Sequence, residues 1–293
     1  IFSSKKGEKS NHFHAKNEQF HLIDIPGIHS ILTVDSASIP EKDPLDFIAK
    51  ESLEYYSESI KGKSFAVRCK RIGKHNFSSI DVERQVGSAL FMNSEDTSVK
   101  LKKPDITITL EIKNNKAYFV KDKTLGLGGY PLGTQGPVLS LLSGGFDSSV
   151  ASYLMMRRGC RVNYLFFNLG GTAHSLGAQQ AALYLWQKFG SSHNASFYSV
   201  SLDSFVAQLM QLPSASLNGV LLKRAMIRVA EIVANKMKIK TIVTGESLAQ
   251  VSSQTLANLS VIDKATDHLI LRPLIVTDKR EIIDTAEKIG SAI

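Results

Sequence analysis

One short polar stretch, Ser143 to Ser149, constrains the fold of this chain more than any other part of it. Its sequence is Ser-Gly-Gly-Phe-Asp-Ser-Ser, and it stands between the apolar run 138–142 and a helical pattern over 150–158, which ends at Gly159. The first backbone N–H groups of a helix are unpaired and lie at the positive end of its dipole. Glycines before them let an anion approach the main chain closely. The stretch therefore predicts a phosphate-binding loop at a strand-to-helix turn.

The side chains of this loop predict how a phosphate is held. The hydroxyls of Ser143, Ser148 and Ser149 are expected to donate hydrogen bonds, and Asp147 or Ser148 is expected to cap the helix. A plain capped turn without a ligand is the alternative. The Gly-Lys-Ser/Thr ending of a Walker A loop is missing, so the loop belongs to another type.

From residue 138 onward the hydrophobic pattern predicts alternating strands and helices. Strands are predicted at 138–142, 161–168, 196–201, 241–244 and 269–271. Helices are predicted at 148–158, 177–189, 217–238 and 278–289. Nearly continuous apolar strands between amphipathic helices predict an α/β domain with a parallel sheet covered on both faces. Ligands of such a domain bind at the carboxyl ends of the strands, where the loop lies.

The preceding chain divides into three predicted segments: a tail or domain remnant at 1–19, a small α+β domain at 20–123, and an irregular linker rich in glycine and proline at 124–137. Within the α+β domain the pattern predicts a strand, a Pro-Gly turn and a strand over 21–34, a helix over 43–60, a strand over 64–71, a helix capped by Ser79, and a strand pair at 105–111 and 116–120.

Basic residues are concentrated in the α+β domain. The chain has a formal net charge of +8, and no acidic residue lies between positions 61 and 79. The basic residues there are Lys61, Lys63, Arg68, Lys70, Arg71 and Lys74. On a strand and the loop after it they predict a positive face that binds nucleic-acid phosphates. A solvated edge strand is the alternative. Phe77 is expected in the core rather than against a base.

Further candidate residues follow later strands or lie on the long helix. Phe166 and Phe167 end the second strand of the α/β domain and are candidates for flanking an adenine, with core packing as the alternative. Lys223 is placed to reach phosphates or to lie on the surface, Gly245 permits backbone contact with a nucleotide, and Gln254 can fix a base edge or a ribose.

These motifs resemble those of tRNA 4-thiouridine synthetases, which join a THUMP domain to a PP-loop ATP-pyrophosphatase domain. The matching strings include Leu142–Ser148, Phe166–Gly171, Leu222–Arg224, Val243–Glu246, Gln250–Leu259 and Leu271–Leu274. The stretch Arg71–Arg84 is similar to part of a THUMP domain, with Asn76 where an aspartate is usual. The resemblance covers about residues 20–293.

The resemblance implies an ATP site and a reaction. The implied ATP-binding residues are Leu141, Leu142, Ser143, Gly144, Gly145, Phe166, Phe167, Lys223, Gly245 and Gln254, and the implied catalytic residues are Asp147 and Ser148. The implied reaction adenylates O4 of uridine 8 in tRNA, releases pyrophosphate and replaces the oxygen with persulfide sulfur. Mg²⁺ is expected with the phosphates, and no protein metal site is predicted.

The resemblance also implies partners. The expected partners are tRNA and a cysteine desulfurase, which donates the sulfur. The chain is further expected to form a homodimer and to contribute to thiamine thiazole synthesis. Cys69 and Cys160 do not match the family's sulfur-handling cysteines, and such sparse cysteine usage is typical of the reducing cytoplasm. No membrane span or signal peptide is expected. Another PP-loop tRNA-modifying or amidotransferase-type synthetase, and a non-catalytic tRNA-binding module, are the competing hypotheses.

Overall fold

The structure, a computed structural model, describes residues 22–169, 171–213 and 216–291. The predicted tail at 1–19 lies outside these residues. Contacts divide the described chain into two compact units. One unit is Ser30–Leu125, and the other joins residues 22–29 to the chain from Gly126 onward.

The first unit is a five-stranded mixed sheet with two helices. Its elements are β1 (Ser30–Ser38), α1 (Pro44–Ile60), β2 (Ser64–Ile72), α2 (Ser79–Asn93), β3 (Ser98–Val99), β4 (Ile106–Lys113) and β5 (Lys116–Leu125). The strand order is β1-β5-β4-β2-β3. Strand β2 is parallel to β3 and β4, and β5 is antiparallel to β1 and β4.

Strand alternation builds the core of this unit. Phe65 and Val67 of β2 share a buried cluster with Ile108 of β4 and with Ile48 and Val86 of the two helices. Side chains on one face of a strand recur every second residue, so the helices cover one face of the sheet. Phe77 belongs to the same cluster, as expected.

Two details of the predicted segment 20–123 differ from expectation. Residues Leu22–Asp24 form a 3₁₀ turn rather than a strand, because the strand begins only at Ser30, after the Pro-Gly turn. The cap of α2 is Ser78, not Ser79: the Ser78 hydroxyl accepts from the N–H of Asp81, and the Asp81 carboxylate accepts from the N–H of Ser78. This reciprocal pair is a capping box.

The second unit is a five-stranded parallel sheet with helices on both faces. Its elements are β6 (Gly136–Leu141), α3 (Phe146–Arg157), β7 (Cys160–Asn168), α4 (Gly171–Leu185), a π-helical turn (Trp186–Gly190), β8 (Phe197–Ser201), α5 (Asp203–Leu209), α6 (Asn218–Lys236), β9 (Thr241–Val243), a 3₁₀ turn (Ser252–Gln254), α7 (Leu256–Asp263), β10 (Leu269–Leu271) and α8 (Lys279–Ile289). The strand order is β10-β9-β6-β7-β8. The predicted α/β architecture is confirmed.

The chain order of these strands positions the candidate site. One core cluster joins α3, α4 and α8 to one face of the sheet, and a second joins α6 and α7 to the other. Strand β6 pairs with β7, which follows it directly, and with β9, which comes much later. The chain therefore changes direction across the sheet at β6. Ligands of open parallel sheets bind at such a switch point.

Residues 124–137 are less irregular than predicted. Thr124 and Leu125 belong to β5, and Gly136 and Pro137 begin β6. Between them, the N–H of Leu127 donates to the carbonyl of Ile23. The backbone groups of this segment are therefore hydrogen-bonded to strands and to the 3₁₀ segment, which the glycine-rich composition did not indicate.

Candidate functional site

The loop after β6 has the backbone geometry of an anion site. Gly144 has φ +82°, in the left-handed region that favours glycine, and α3 begins two residues later at Phe146. The residue at the helix N-cap is Gly145, and no side chain caps the helix there. Asp147 and Ser148 lie inside the first helical turn, so the expectation that one of them caps α3 is wrong. The first N–H groups of α3 are consequently not occupied by a cap.

The hydroxyl of Ser148 organises the loop from within. It accepts from the N–H of Ser143 at 3.0 Å and donates to the carbonyl of Gly145 at 3.1 Å. The side chain of Ser149 is buried, and among the described residues its Oγ has no hydrogen-bond partner. The Ser148 hydroxyl therefore holds the turn closed. The backbone N–H groups at the start of α3 stay available to a ligand.

Glycine is required at position 245 by close packing of two backbones. A Cβ there would lie 2.7 Å from the carbonyl carbon of Asp147 and 2.7 Å from the nitrogen of Ser148. The end of β9 thus lies directly against the start of α3. Any side chain at Gly245 would separate the two segments.

The loop, the end of β9 and helix α6 line one cavity of about 250 Å³. Its lining residues are Leu141, Ser143, Asp147, Ser148, Lys223, Met226, Ile227, Thr244, Gly245, Glu246 and Ile262. Six of the predicted site residues are in this set. The structure therefore brings together parts of the chain that are about a hundred positions apart.

Asp147 is held by a lysine that sequence reasoning missed. The Nζ atom of Lys279 lies 2.8 and 2.9 Å from the two carboxylate oxygens of Asp147. Gln250 adds a longer contact from Nε2 at 3.4 Å. Lys279 is the first residue of α8, where a positive charge opposes the helix dipole. A lysine at this unfavourable position was a signal that could have found it.

A second ionic network surrounds Lys223. Its Nζ donates to one carboxylate oxygen of Glu246 at 2.7 Å, and Arg272 and Thr244 donate to the other oxygen at 2.8 and 3.1 Å. Burial works against the charge on Glu246, but Lys223 and Arg272 outweigh burial and hold the pKa of this carboxyl below its usual value. Arg272 also binds Asp263. Glu246 therefore fixes Lys223 at the cavity wall.

Several predicted ATP-binding residues do not line this cavity. Leu142 is buried in a core cluster, and Phe166 and Phe167 are 1 and 8% exposed. The Phe166 ring lies 5.2 Å from the His174 ring, centroid to centroid. Gln254 is buried on the 3₁₀ turn, and its Oε1 has no partner among the described residues. Their contact with a nucleotide stays a prediction.

The basic residues of the first unit do not form one face. Arg68 and Lys70 are exposed, whereas Arg71 alternates with them along β2 and is half-buried, bonded to His75 Nδ1. The expected single face is thus wrong for Arg71, because neighbouring strand residues point to opposite sides.

The remaining basic residues of this set flank the strand. Lys61 pairs with Glu95 at the surface, Lys63 donates to the carbonyl of Ser59, and Lys74 lies in the loop after β2. The exposed residues Lys100, Lys102 and Lys103, beside the Arg68–Leu101 hydrogen bond, extend the positive surface and were not predicted.

Both cysteines are held as thiols. Burial raises the pKa of Cys160, and burial together with the nearby carboxylate of Glu83 raises the pKa of Cys69 to about 11. Arg71 near Cys69 and Arg158 near Cys160 act to lower these pKa values, but burial outweighs them. Across the described residues no group of three His, Cys, Asp or Glu side chains is arranged to hold a metal ion. No helix in the described ranges has the length and apolar character of a membrane span.

A parallel sheet with the uncapped loop Ser143–Ser149 at its switch point has the architecture expected of a PP-loop domain. The family model described as thiamine biosynthesis protein (ThiI) matches residues 133–292, and that of the THUMP domain matches residues 45–122. The chain belongs to the ThiI family.

Named relatives agree with this assignment. The chain is 51% identical over 270 residues to a tRNA sulfurtransferase of Salmonella typhi and 51% identical over 271 residues to one of Psychromonas ingrahamii, in each case over 92% of this chain and 55% of the relative. It thus spans about half the length of these relatives. A crystal structure of a 4-thiouridine synthetase–RNA complex with bound ATP is 26% identical and superposes with a TM-score of 0.77, over 92% of this chain and 70% of that one.

Proposed function

We propose that this chain is the ATP-binding and tRNA-binding part of a tRNA sulfurtransferase that makes 4-thiouridine at position 8. The observation that carries the proposal is the uncapped start of α3 beside a cavity that also holds Asp147 and Lys223. The names of the relatives and the ATP–RNA complex of the similar structure support the choice of ATP and tRNA.

The reaction begins at a poor leaving group. O4 of the uracil attacks the α-phosphorus of ATP, the bond to the β-phosphate breaks, and pyrophosphate leaves. A persulfide sulfur then attacks C4, the C4–O4 bond breaks, and AMP leaves with the oxygen. A second thiol then attacks the sulfur that is not bound to C4, so the S–S bond breaks, a disulfide forms between the two thiol groups, and 4-thiouridine is left. The chain's task is to stabilise the departing pyrophosphate and to orient the α-phosphate toward the base.

Named residues have distinct roles in this scheme. The backbone N–H groups at the start of α3 bind the pyrophosphate, and Lys223 neutralises charge at the cavity wall. When ATP binds, Lys279 gives up part of its contact with Asp147 and contacts the phosphates. Since Glu246 is committed to Lys223 and Arg272, Asp147 is the lining carboxylate that would hold an added Mg²⁺, and the ion would supply positive charge against the phosphates.

The other proposed partners act around this centre. The THUMP unit holds the tRNA through exposed residues such as Arg68 and Lys70, and a cysteine desulfurase supplies the sulfur. We place the enzyme in the cytoplasm, as a homodimer that also serves thiamine thiazole synthesis. The domain limits 20–123 and 138–293 are kept as the proposed functional units.

The test separates chemistry from RNA binding. In the full-length protein, Asp147→Ala should lower tRNA-dependent AMP formation by about 100-fold or more while leaving tRNA affinity within about twofold. Asp284→Ala, at an exposed position of α8, is the matched control and should behave like the parent. Unchanged AMP formation in Asp147→Ala would remove the loop from the mechanism.

A further inference from the structure

A second, larger cavity lies in the PP-loop unit, outside the candidate ATP site. It measures about 690 Å³ and is formed by α4, the π-helical turn and the edge strand β8, with Tyr164 of β7. None of its lining residues lines the cavity beside the loop. A volume of this size is within the range of small-molecule sites.

Two rigid aromatic rings form part of its wall. Trp186 donates from Nε1 to the carbonyl of His193 at 2.7 Å, which fixes the indole. The Phe197 ring stacks on Phe166 with centroids 6.4 Å apart. Trp186 is also the first residue of the π-helical turn, an irregularity that is frequent at functional sites. The cavity therefore presents fixed surfaces on which a flat ring can stack.

The polar groups of the cavity are uncharged, and one of them is unsatisfied. Tyr164 is 1% exposed, and its hydroxyl has no hydrogen-bond partner among the residues that the structure describes. Gln179 uses its amide N–H₂ on Ser175 at 3.2 Å. The hydroxyl-bearing residues Ser196 and Ser199 complete the polar lining. A buried hydroxyl without a partner is costly unless a ligand satisfies it.

We infer that this cavity binds an uncharged nucleobase, stacked against Trp186 and Phe197 and hydrogen-bonded to Tyr164 and Gln179. A nucleobase has both a flat face for stacking and acceptors and donors along its edge. None of the described lining residues carries a charge, so the site does not select a phosphate. The base comes either from a free nucleoside or from an unstacked nucleotide of an RNA.

The chain supplies its own reporter, because Trp186 is its single tryptophan. Tryptophan fluorescence is followed during titration with uridine, cytidine, adenosine and guanosine, and in a second arm with single-stranded oligoribonucleotides. We expect saturable quenching by at least one nucleoside, with a Kd unchanged between low and high salt because no charge is neutralised. Quenching by the oligonucleotides alone identifies an RNA base as the ligand. Absence of saturable quenching in both arms overturns the inference.

Matched variants locate the ligand. Gln179→Ala should weaken binding by about fivefold, the loss of one hydrogen bond, whereas Gln180→Ala, at the next exposed position of α4, should not change it. Tyr164→Phe keeps the ring but removes the hydroxyl, and it should weaken binding by a similar factor. Tyr198→Phe, at an exposed position of β8, is the control and should not change binding. Lys223→Ala should leave this binding intact, which separates the site from the ATP cavity. Equal affinity in Gln179→Ala and Tyr164→Phe would refute the assignment.

Discussion

Helices α2 and α3 begin in opposite ways. The start of α2 is closed by a capping box, in which Ser78 and Asp81 satisfy each other's backbone N–H groups. The start of α3 has glycine at the N-cap and no capping side chain. A capped end stabilises the helix itself, and an uncapped end keeps its dipole and N–H groups for a ligand. The start of α2 is therefore closed, whereas the start of α3 is available to a ligand.

The charged side chains near the two helices also differ, in whether they are paired or exposed. Near α3 they are paired in fixed geometry, as Asp147 is with Lys279 and Glu246 with Lys223. Near α2 and β2 the residues Arg68 and Lys70 are exposed. Fixed pairs suit a reaction that depends on the position of a few atoms. Exposed charges suit a polyanion, whose binding depends on the number of phosphates neutralised.

The largest expected effect on ligand binding comes from giving α3 the cap that it lacks. Gly145 has φ −87°, and a Cβ there would meet only Ser143 Oγ, at 3.5 Å, so Gly145→Asp can fold. Its carboxylate should cap the helix and place a negative charge at the anion site. ATP affinity, measured by calorimetry, should fall by about 100-fold with an unchanged or higher melting temperature.

Gly145→Ala is the control for this change, since it adds the Cβ without the charge. It should retain more ATP affinity than the aspartate variant. If Gly145→Asp binds ATP as tightly as the parent chain, the start of α3 is not an anion site and the comparison between the two helices fails.

A large effect on stability rather than on ligand binding is expected at the buried ion network. Glu246→Gln removes the negative partner of Lys223 and Arg272, and the free energy of unfolding in urea at pH 7 should fall by about 3–5 kcal/mol. Glu287→Gln, exposed on α8, should change it by less than about 0.5 kcal/mol. Equal stability of the two variants would show that the network does not hold the cavity wall.

The difference in stability between the parent and Glu246→Gln should depend on pH. The pKa of Glu246 is lowered in the folded chain from its ordinary 4.5. A carboxyl with a depressed folded pKa contributes stability above its unfolded pKa, and this stability is lost as the pH falls through the folded value. The stability gap between the parent and Glu246→Gln should therefore narrow below pH 4.5. A gap that stays constant down to pH 3 would contradict this assignment.

A moderate effect is expected on RNA binding. Lys70→Glu should weaken tRNA affinity several-fold and lower the slope of log affinity against log salt by about one or more. Lys50→Glu, exposed on α1, makes the same charge change away from β2 and serves as the control. Identical salt slopes for Lys70→Glu and the parent would exclude this side of β2 from the RNA surface.

The smallest effect tests the structural helix start. Ser78→Ala should lower the free energy of unfolding by about 1 kcal/mol, because one capping hydrogen bond is lost. Ser79→Ala, one position later, should cost less, and ATP affinity should not change in either variant. A greater loss of stability in Ser79→Ala than in Ser78→Ala would show that Ser79 caps α2, as the sequence pattern predicts.

The sequence predicted features that depend on local pattern. The parallel sheet followed from apolar runs such as 161–168, and the loop followed from Ser143–Ser149 between a strand and a helix. The position of Glu246 as the partner of Lys223, and of Lys279 as the partner of Asp147, depended on which distant segments meet in the fold. Helix α5 was missed because its apolar residues show no clear helical period. The π-helical turn lies at the end of the helix predicted over 177–189, and its different hydrogen bonding was not predicted. Arg71 was misplaced because a charge count ignores strand alternation.

The ion pair between Lys279 and Asp147 joins residues 132 positions apart. During synthesis at about 5–20 residues per second, the loop leaves the ribosome on the order of ten seconds before α8 exists. For that interval Asp147 has no lysine beside it, although the strand and helix around it are complete. The order of translation thus delays assembly of the candidate site until α8 has been made.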